Sequence, residues 1–186
     1  MDEKKALRRE MAAQRRTLDD GSLVETSRRV VVRLLAMPWY RDARVVMSYI
    51  AVRGEVDMGL LHKDCWQVGR RLCVPAYSHE HGAYAPVAFT RNDTTGPGRA
   101  GVPEPVAKQW LPMADVEFVV VPGVAFDRTG GRLGRGGGHY DRLLAGRSCR
   151  KVGVAFDFQI VAGVPRSAHD EILDAVITES NVFIAG

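Results

Sequence analysis

Pro122-Gly123-Val124-Ala125-Phe126-Asp127-Arg128-Thr129-Gly130-Gly131-Arg132-Leu133-Gly134-Arg135-Gly136-Gly137-Gly138-His139-Tyr140-Asp141 is the stretch that decides the reading. Six of the nine residues 130–138 are glycine. Glycine loses more conformational freedom on folding than any other residue, so such clustering needs a cause. One cause is close approach of backbone N–H groups to an anion, ahead of a helix whose N-terminus is electropositive. Arg132 and Arg135 add bidentate phosphate donors. Asp141, in the first turn of a helix expected over 139–145, is placed to serve a magnesium ion. A flexible surface loop would explain the glycines but not the interleaved arginines.

Two familiar phosphate loops fail here. Gly131-x4-Gly136 has the Walker spacing, but Gly137 and Gly138 stand where Lys and Ser/Thr are required. Gly134-x-Gly136-x-Gly138 is not G-x-G-x-x-G, although Asp157 follows a strand at the distance a dinucleotide fold would want. An NAD(P)-binding Rossmann-type oxidoreductase therefore stays as the alternative to an ATP enzyme.

The charge supports a local anion site. The chain has 186 residues, with 26 Lys plus Arg against 22 Asp plus Glu. Residues 127–151 hold seven of the basic residues and only Asp127 and Asp141 of the acids, a net +5. The rest, 19 basic and 20 acidic, is net −1. A nucleic-acid binder usually shows a broad basic face with stacking aromatics, so no nucleic-acid partner is expected.

Outward from this segment, short apolar runs alternate with helical periods. Leu7, Met11, Gln14 and Leu18 give a helix over 3–18, ended by Asp19-Asp20-Gly21. Ser22-x-x-Glu25 reads as a capping box opening a second helix, which stops before Pro38. Strands are expected over 44–50, 71–75, 84–89, 117–121, 151–156 and 175–178. A helix is expected over 56–68, closed by Gly69, and loops over 90–112 and from 122 to 138. The fold expected is α/β and three-layer, a mainly parallel sheet with helices on both faces, Rossmann-like, in one domain over 1–186.

Cys65, Cys73 and Cys149 form no C-x-x-C pair, so neither a disulfide framework nor a zinc ribbon is indicated. His79-x-His81 reads as a polar turn rather than a metal site. No apolar run approaches the roughly 18 residues a membrane span needs. The acidic, polar start of the chain is neither a secretory signal nor a transit peptide, so the cytoplasm is the expected address, with no membrane partner.

Several segments together resemble one known family, the 5-formyltetrahydrofolate cyclo-ligases. Arg132-Leu133-Gly134-Arg135-Gly136-Gly137-Gly138-His139-Tyr140-Asp141 resembles the family's R-L-G-x-G-x-G-aromatic-Tyr-Asp signature. Lys4-x-x-Leu7-Arg8, Tyr49 with Gly54-Glu55-Val56-Asp57, Val74-Pro75, Gly101-Val102-Pro103-Glu104-Pro105, Gly153-Val154-Ala155-Phe156 and Asp174-Ala175-Val176-Ile177-Thr178 resemble its other landmarks, in order.

The resemblance implies ATP- and Mg2+-dependent conversion of 5-formyltetrahydrofolate to 5,10-methenyltetrahydrofolate, with release of ADP and phosphate; the partner expected is that folate, and the chain is expected to be a monomer. A formamide oxygen is a poor leaving group. Phosphorylating it makes phosphate the leaving group, after which nitrogen 10 closes the ring, with no enzyme nucleophile needed. By the same resemblance Lys4, Arg8, Arg132 and Arg135 would contact ATP, with Gly134, Gly136, Gly137, Gly138, His139 and Tyr140 around it. Arg132, Arg135 and Asp141 would be catalytic, and Asp141 would serve magnesium. Tyr49 would lie at the folate, and Glu55 at the folate or metal site. Gly137 stands where many relatives carry lysine, which shifts the expected phosphate contacts toward Lys4. Arg132, inside a glycine loop, is expected to make no core contact.

Overall fold

A computed structural model describes residues 3–16, 19–52 and 54–186. Its first helix, α1, spans Glu3–Arg15. Leu18, the last residue of the period expected for that helix, lies outside the described residues. Helix α2, Asp20–Leu35, is capped by Asp19, whose carboxylate accepts from Ser22 N at 2.9 Å. The capping box expected from Ser22 is therefore corrected: the aspartate three residues earlier reaches the free N–H first. Glu25 instead pairs with Arg28. Pro38 opens a short α3, Pro38–Asp42, because its missing N–H costs nothing at a first helical position.

The rest of the chain alternates strands with turns and helices. β1 is Val45–Met47 and α4 is Gly59–Gln67. β2, Arg71–Ser78, and β3, Ala83–Ala88, form a hairpin. β4, Thr95–Pro97, and β5, Pro103–Pro105, pair within the segment expected to be plain loop. β6 is Phe118–Val121. β7, Ala125–Asp127, and β8, Arg132–Leu133, form a second unexpected hairpin, ahead of α5, His139–Leu144. β9, Arg150–Val154, β10, Ile160–Val161, β11, Ala175–Ile177, and β12, Val182–Ile184, complete the chain. These missed strands are two or three residues long, too short to show a period of two.

The main sheet has seven strands in the order β12-β11-β9-β6-β1-β2-β3. Its five inner strands are parallel, and both edges are antiparallel. Alternate residues serve different layers, as the pleat requires. Val46, Leu72, Phe118, Val120 and Val152 pack with Val30, Val31 and Leu34 of α2 and Leu61 of α4. Val45, Met47, Cys73, Val119 and Val121 pack instead with Leu143 and Leu144 of α5. In sequence order the inner strands read 2-1-3-4-5 across the sheet, so successive connections run in opposite directions from β1 and β6. Between two such strands the connecting segments leave a crevice at the carboxyl ends.

The hairpin β7–β8 is seated by Phe126, which is fully buried. A Cβ on Gly123 would meet its ring at 2.5 Å and one on Gly153 would meet it at 2.7 Å. Glycine at both places lets an aromatic ring lie directly on the backbone, which fixes where the arginine-glycine segment leaves the sheet. No described helix is long and apolar enough to cross a membrane.

Candidate active site

A cavity of about 360 Å³ opens at the carboxyl ends of β1 and β6, where the strand order reverses. Tyr49 and Ile50 reach it from beyond β1, and Pro122 and Gly123 from beyond β6. Val74 and Pro75 of β2 and Val102 and Pro103 at β5 supply apolar wall suited to a flat ring. Those two pairs stood in the sequence only as landmarks of a resemblance. Tyr84 also lines the cavity, and the sequence marked it only as the start of an expected strand.

The expected residues divide. Arg132, Gly134, Arg135, Gly137, Gly138, His139, Tyr140, Asp141, Tyr49 and Glu55 all line the cavity. Lys4, Arg8 and Gly136 do not. Lys4 Nζ lies 2.7 Å from Asp170 Oδ2 and donates to Ser167 Oγ at 3.0 Å. Arg8 Nε donates to Gly134 O at 2.9 Å, so α1 grips the loop from behind. Leu7 and Met11 hold α1 there by packing with Ala125 and Leu133 of the hairpin.

The glycine cluster serves two purposes. Gly131 N donates to Asp127 Oδ1 at 2.9 Å, so Gly130 and Gly131 form the hairpin turn. Asp127 is buried and also accepts from Thr129 N, Val164 N and Arg166 Nη2. Burial alone would raise its carboxyl, but these donors hold it well below the usual carboxylate range. Of the other four glycines, Gly134, Gly137 and Gly138 line the cavity. Gly138 caps α5 at φ +61°, a left-handed conformation glycine adopts without strain, and places His139 at the first turn. Helix α5 has only six residues, so its dipole adds less to an anion site than the sequence suggested.

Two ion pairs organise the charge. Arg135 Nη2 lies 2.5 Å from Glu55 Oε1. Glu55 is held in turn by Val52 N, which donates to Oε2 at 3.1 Å. The same turn is tied down by Tyr49 Oη donating to Val56 O at 2.8 Å. Burial raises the Glu55 pKa, against the pull of Arg135 and the Val52 N–H. Arg132 Nη2 lies 2.8 Å from Asp141 Oδ1, with side-chain exposures of 5% and 20%. Arg132 Nη1 donates to Pro122 O at 3.3 Å, and its guanidinium sits 5.6 Å from the Tyr140 ring centre. The expectation that Arg132 makes no core contact is therefore corrected. It is anchored in β8, the hairpin that Phe126 fastens to the sheet, and is buried there.

The segment's charge excess does not all face the cavity. Arg150 pairs with Asp174 and Lys151 with Glu171, while Arg128 lies over the Phe183 ring. No group of three or more His, Cys, Asp or Glu side chains forms a metal cluster among the described residues, at His79 and His81 or elsewhere.

Two buried polar atoms at this site have no hydrogen-bond partner among the described residues, Arg132 Nε and Tyr140 Oη. Burial, with the nearby Glu55 charge, raises the Tyr140 pKa, so its phenol stays a neutral donor. An orphaned buried hydroxyl costs about 1–3 kcal/mol. Tyr140→Phe is thus expected to gain about 1 kcal/mol, a rise of roughly 2–4 °C in Tm for a chain of this size. The same change should weaken ligand binding. Melting curves with and without ligand check both, and a lower Tm for Tyr140→Phe would show the hydroxyl to be satisfied in the native state.

The fold and cavity together define a class: a mainly parallel α/β protein with an apolar, arginine-bearing ligand site at the strand-order reversal. A family model for the 5-formyltetrahydrofolate cyclo-ligase family matches residues 1–179. The chain belongs to that family, which is a family of enzymes. It is 30% identical to the Escherichia coli K12 5-formyltetrahydrofolate cyclo-ligase over 175 residues, 91% of this chain and 96% of that protein. The mouse enzyme of the same name is 24% identical over 197 residues, 96% of this chain and 94% of its own. The NMR structure of the Aquifex aeolicus 5,10-methenyltetrahydrofolate synthetase superposes with a TM-score of 0.86 at 34% identity, covering 98% of this chain and 92% of that one.

The dinucleotide alternative loses its footing here. Its glycine segment should leave a parallel strand directly, but the β7–β8 hairpin intervenes. Asp157, the residue that would hold the ribose, is exposed and absent from the cavity wall.

Proposed function

We propose that the protein converts 5-formyltetrahydrofolate to 5,10-methenyltetrahydrofolate, consuming ATP with Mg2+ and releasing ADP and phosphate. The observation that carries this reading is the delivery of Arg132 and Arg135 into one apolar cavity, each held by a carboxylate. We also read the layers that pack on alternate strand residues as a three-layer, Rossmann-like arrangement of a single domain, working in the cytoplasm on small molecules.

The residues fit the groups that the reaction requires. Two guanidinium groups, one with a buried Nε that has no partner among the described residues, suit phosphate oxygens. Magnesium is commonly held by one or two carboxylates together with phosphates and water, so Asp141 suffices without a larger cluster. ATP would supply the phosphoryl group that turns the formyl oxygen into a phosphate leaving group, and Mg2+ would share the phosphate charge.

The remaining work belongs to the chain. Arg132 and Arg135 neutralise charge that grows as the phosphoryl group moves, and their carboxylate partners hold them in place beforehand. Glu55 offers a second oxygen face to folate N–H groups while orienting Arg135. The walls from β2 and β5 exclude water, so the activated formyl carbon meets nitrogen 10 first. Nitrogen 10 bonds to the formyl carbon, the C–O bond breaks with its electrons going to phosphate, and the departing phosphate takes the nitrogen-10 proton.

Mixing protein, ATP, Mg2+ and 5-formyltetrahydrofolate is expected to produce methenyl-folate absorbance, one ATP consumed per ring closed. Oxygen-18 in the formyl group should appear in the released phosphate. Label in water, or ATP hydrolysis at the same rate without folate, refutes the mechanism. Asp141→Asn should raise the Mg2+ concentration needed for half-maximal rate. An unchanged Mg2+ dependence would leave Asp141 only its ion pair with Arg132.

A further inference from the structure

Gln159 is enclosed, 2% exposed, at the corner where the chain leaves β9 for β10. A buried amide is costly unless its hydrogen-bonding groups are satisfied. This one spans two parts of the fold. Its Oε1 accepts from Phe156 N at 2.9 Å, just beyond β9 of the main sheet. Its Nε2 donates to Gly123 O at 3.1 Å and to Val124 O at 2.9 Å, between β6 and β7. One N–H donor and two carbonyl acceptors also fix which way the amide faces. Directly after it, Ile160 and Val161 pair with Phe126 and Asp127 of β7.

Residues 122–124 are the segment on which Arg132 rests. Pro122 O accepts from Arg132 Nη1 at 3.3 Å, and Val124 N donates to Leu133 O at 2.7 Å. The Arg132 side chain and the backbone beside it are thus both bonded to that segment. Pro122 and Gly123 line the cavity, whereas Gln159 does not.

The cavity's apolar wall at Val74 and Pro75 belongs to the main sheet, and Arg132 belongs to the three-stranded sheet β10-β7-β8. How far a guanidinium on one stands from a ring held by the other depends on how the two sheets are joined. Phe126 joins them by packing, which has no direction. The Gln159 amide adds bonds that do. The proposed reaction gives this glutamine no other task.

We propose that Gln159 is a positioning residue: by clamping residues 122–124 to the end of β9, its amide sets where Arg132 meets the transferring phosphoryl group. This rests on the reaction proposed above. Gln159→Met keeps the side chain's length and removes its three bonds. Measured well below the melting temperature of each variant, its kcat should fall about 10- to 100-fold, the cost of misplacing a group that acts in the transition state. The KM for 5-formyltetrahydrofolate should change by less than about twofold. In a cycle with Arg132→Lys the losses should not add: once Arg132 is changed, Gln159→Met should lower kcat by less than about threefold. A glutamine that only supported the fold would lower Tm and leave the kcat of the folded protein near normal.

Gln159→Glu gives an independent reading and carries the test if Gln159→Met does not fold. Its protonated acid can donate to one carbonyl and still accept from Phe156 N, while the ionised form sets oxygen against oxygen. The kcat ratio of Gln159→Glu to the parent should therefore rise as pH falls, and titrations common to both proteins cancel in the ratio. Normal kcat in folded Gln159→Met, losses that add to those of Arg132→Lys, or a pH-independent ratio for Gln159→Glu would overturn the proposal. If the parent turns over no 5-formyltetrahydrofolate, the reaction fails first, and the clamp is judged by titrating tripolyphosphate. Affinity weakened by Gln159→Met and by Arg132→Lys without adding supports the clamp. Affinity unmoved by Gln159→Met, or no binding to the parent, refutes it.

Discussion

Arg132→Lys is expected to lower kcat/KM about 100-fold with little loss of fold, since one charge remains but the bidentate fork is lost. Arg132→Ala should cost more in both respects. Removing a donor aimed at developing charge is worth about 2–4 kcal/mol in the transition state. Breaking a buried pair also strands the surviving partner, here Asp141, at about 3–5 kcal/mol when both groups are enclosed and less where one meets water. Asp141 is 20% exposed, so the lower part of that range applies. A double-mutant cycle of Arg132→Ala with Asp141→Ala separates the effects. Coupling in stability reports the ion pair, and the extra loss in kcat/KM of Arg132→Ala over Asp141→Ala reports what the arginine does for phosphate. Arg132→Lys with near-normal kcat/KM would remove the bidentate role.

Glu55→Gln should move stability and activity in opposite directions. Glu55 is enclosed, and burial raises its carboxyl pKa above the ordinary 4.5 in spite of Arg135. Below 4.5 the group is protonated in both folded and unfolded chains and contributes nothing to pH dependence. Between 4.5 and the raised folded value the unfolded chain is the more ionised of the two. The unfolded state then binds fewer protons, and stability falls until the pH passes the raised folded value. Glu55→Gln removes that loss, so its Tm advantage over the parent should widen as pH rises from 4.5 through the raised folded value and stay level above it. Arg135 is 36% exposed and can take water in place of its lost partner. Activity should fall about 10- to 100-fold, the worth of one charge-assisted hydrogen bond and the orientation it gives. A Tm gap that narrows as pH rises would mean that the ionised pair stabilises the fold, and an unchanged kcat/KM would remove Glu55 from the site.

Both variants weaken function without damaging the core, and Tyr140→Phe follows the same logic. Enclosed charges and orphaned donors are costs a folded chain tolerates where a ligand repays them.

The longer elements were legible because periodicity reports burial directly. The apolar run at 44–50 contains β1, the run at 117–121 contains β6, and the period of α2 places Val30 and Leu34 in the core. The arginine-glycine segment was legible because glycine density has an entropic cost. Its two halves were not separable, since a hairpin turn and an anion cradle ask for the same residue. Strands β7, β8 and β12 escaped because two or three residues show no period.

By itself, then, the sequence determined an α/β chain, its family resemblance, and the residue types that meet an anion: Arg132, Arg135, Asp141 and Glu55 are chemistry written locally. Only the tertiary structure decided their pairing. Glu55 meets Arg135 across 80 residues, Arg8 reaches Gly134 across 126, and Lys4 lies against Asp170 rather than at the cavity wall. Such contacts depend on the order in which strands pair, and strand order is fixed by the packing of the whole sheet, which no local pattern encodes.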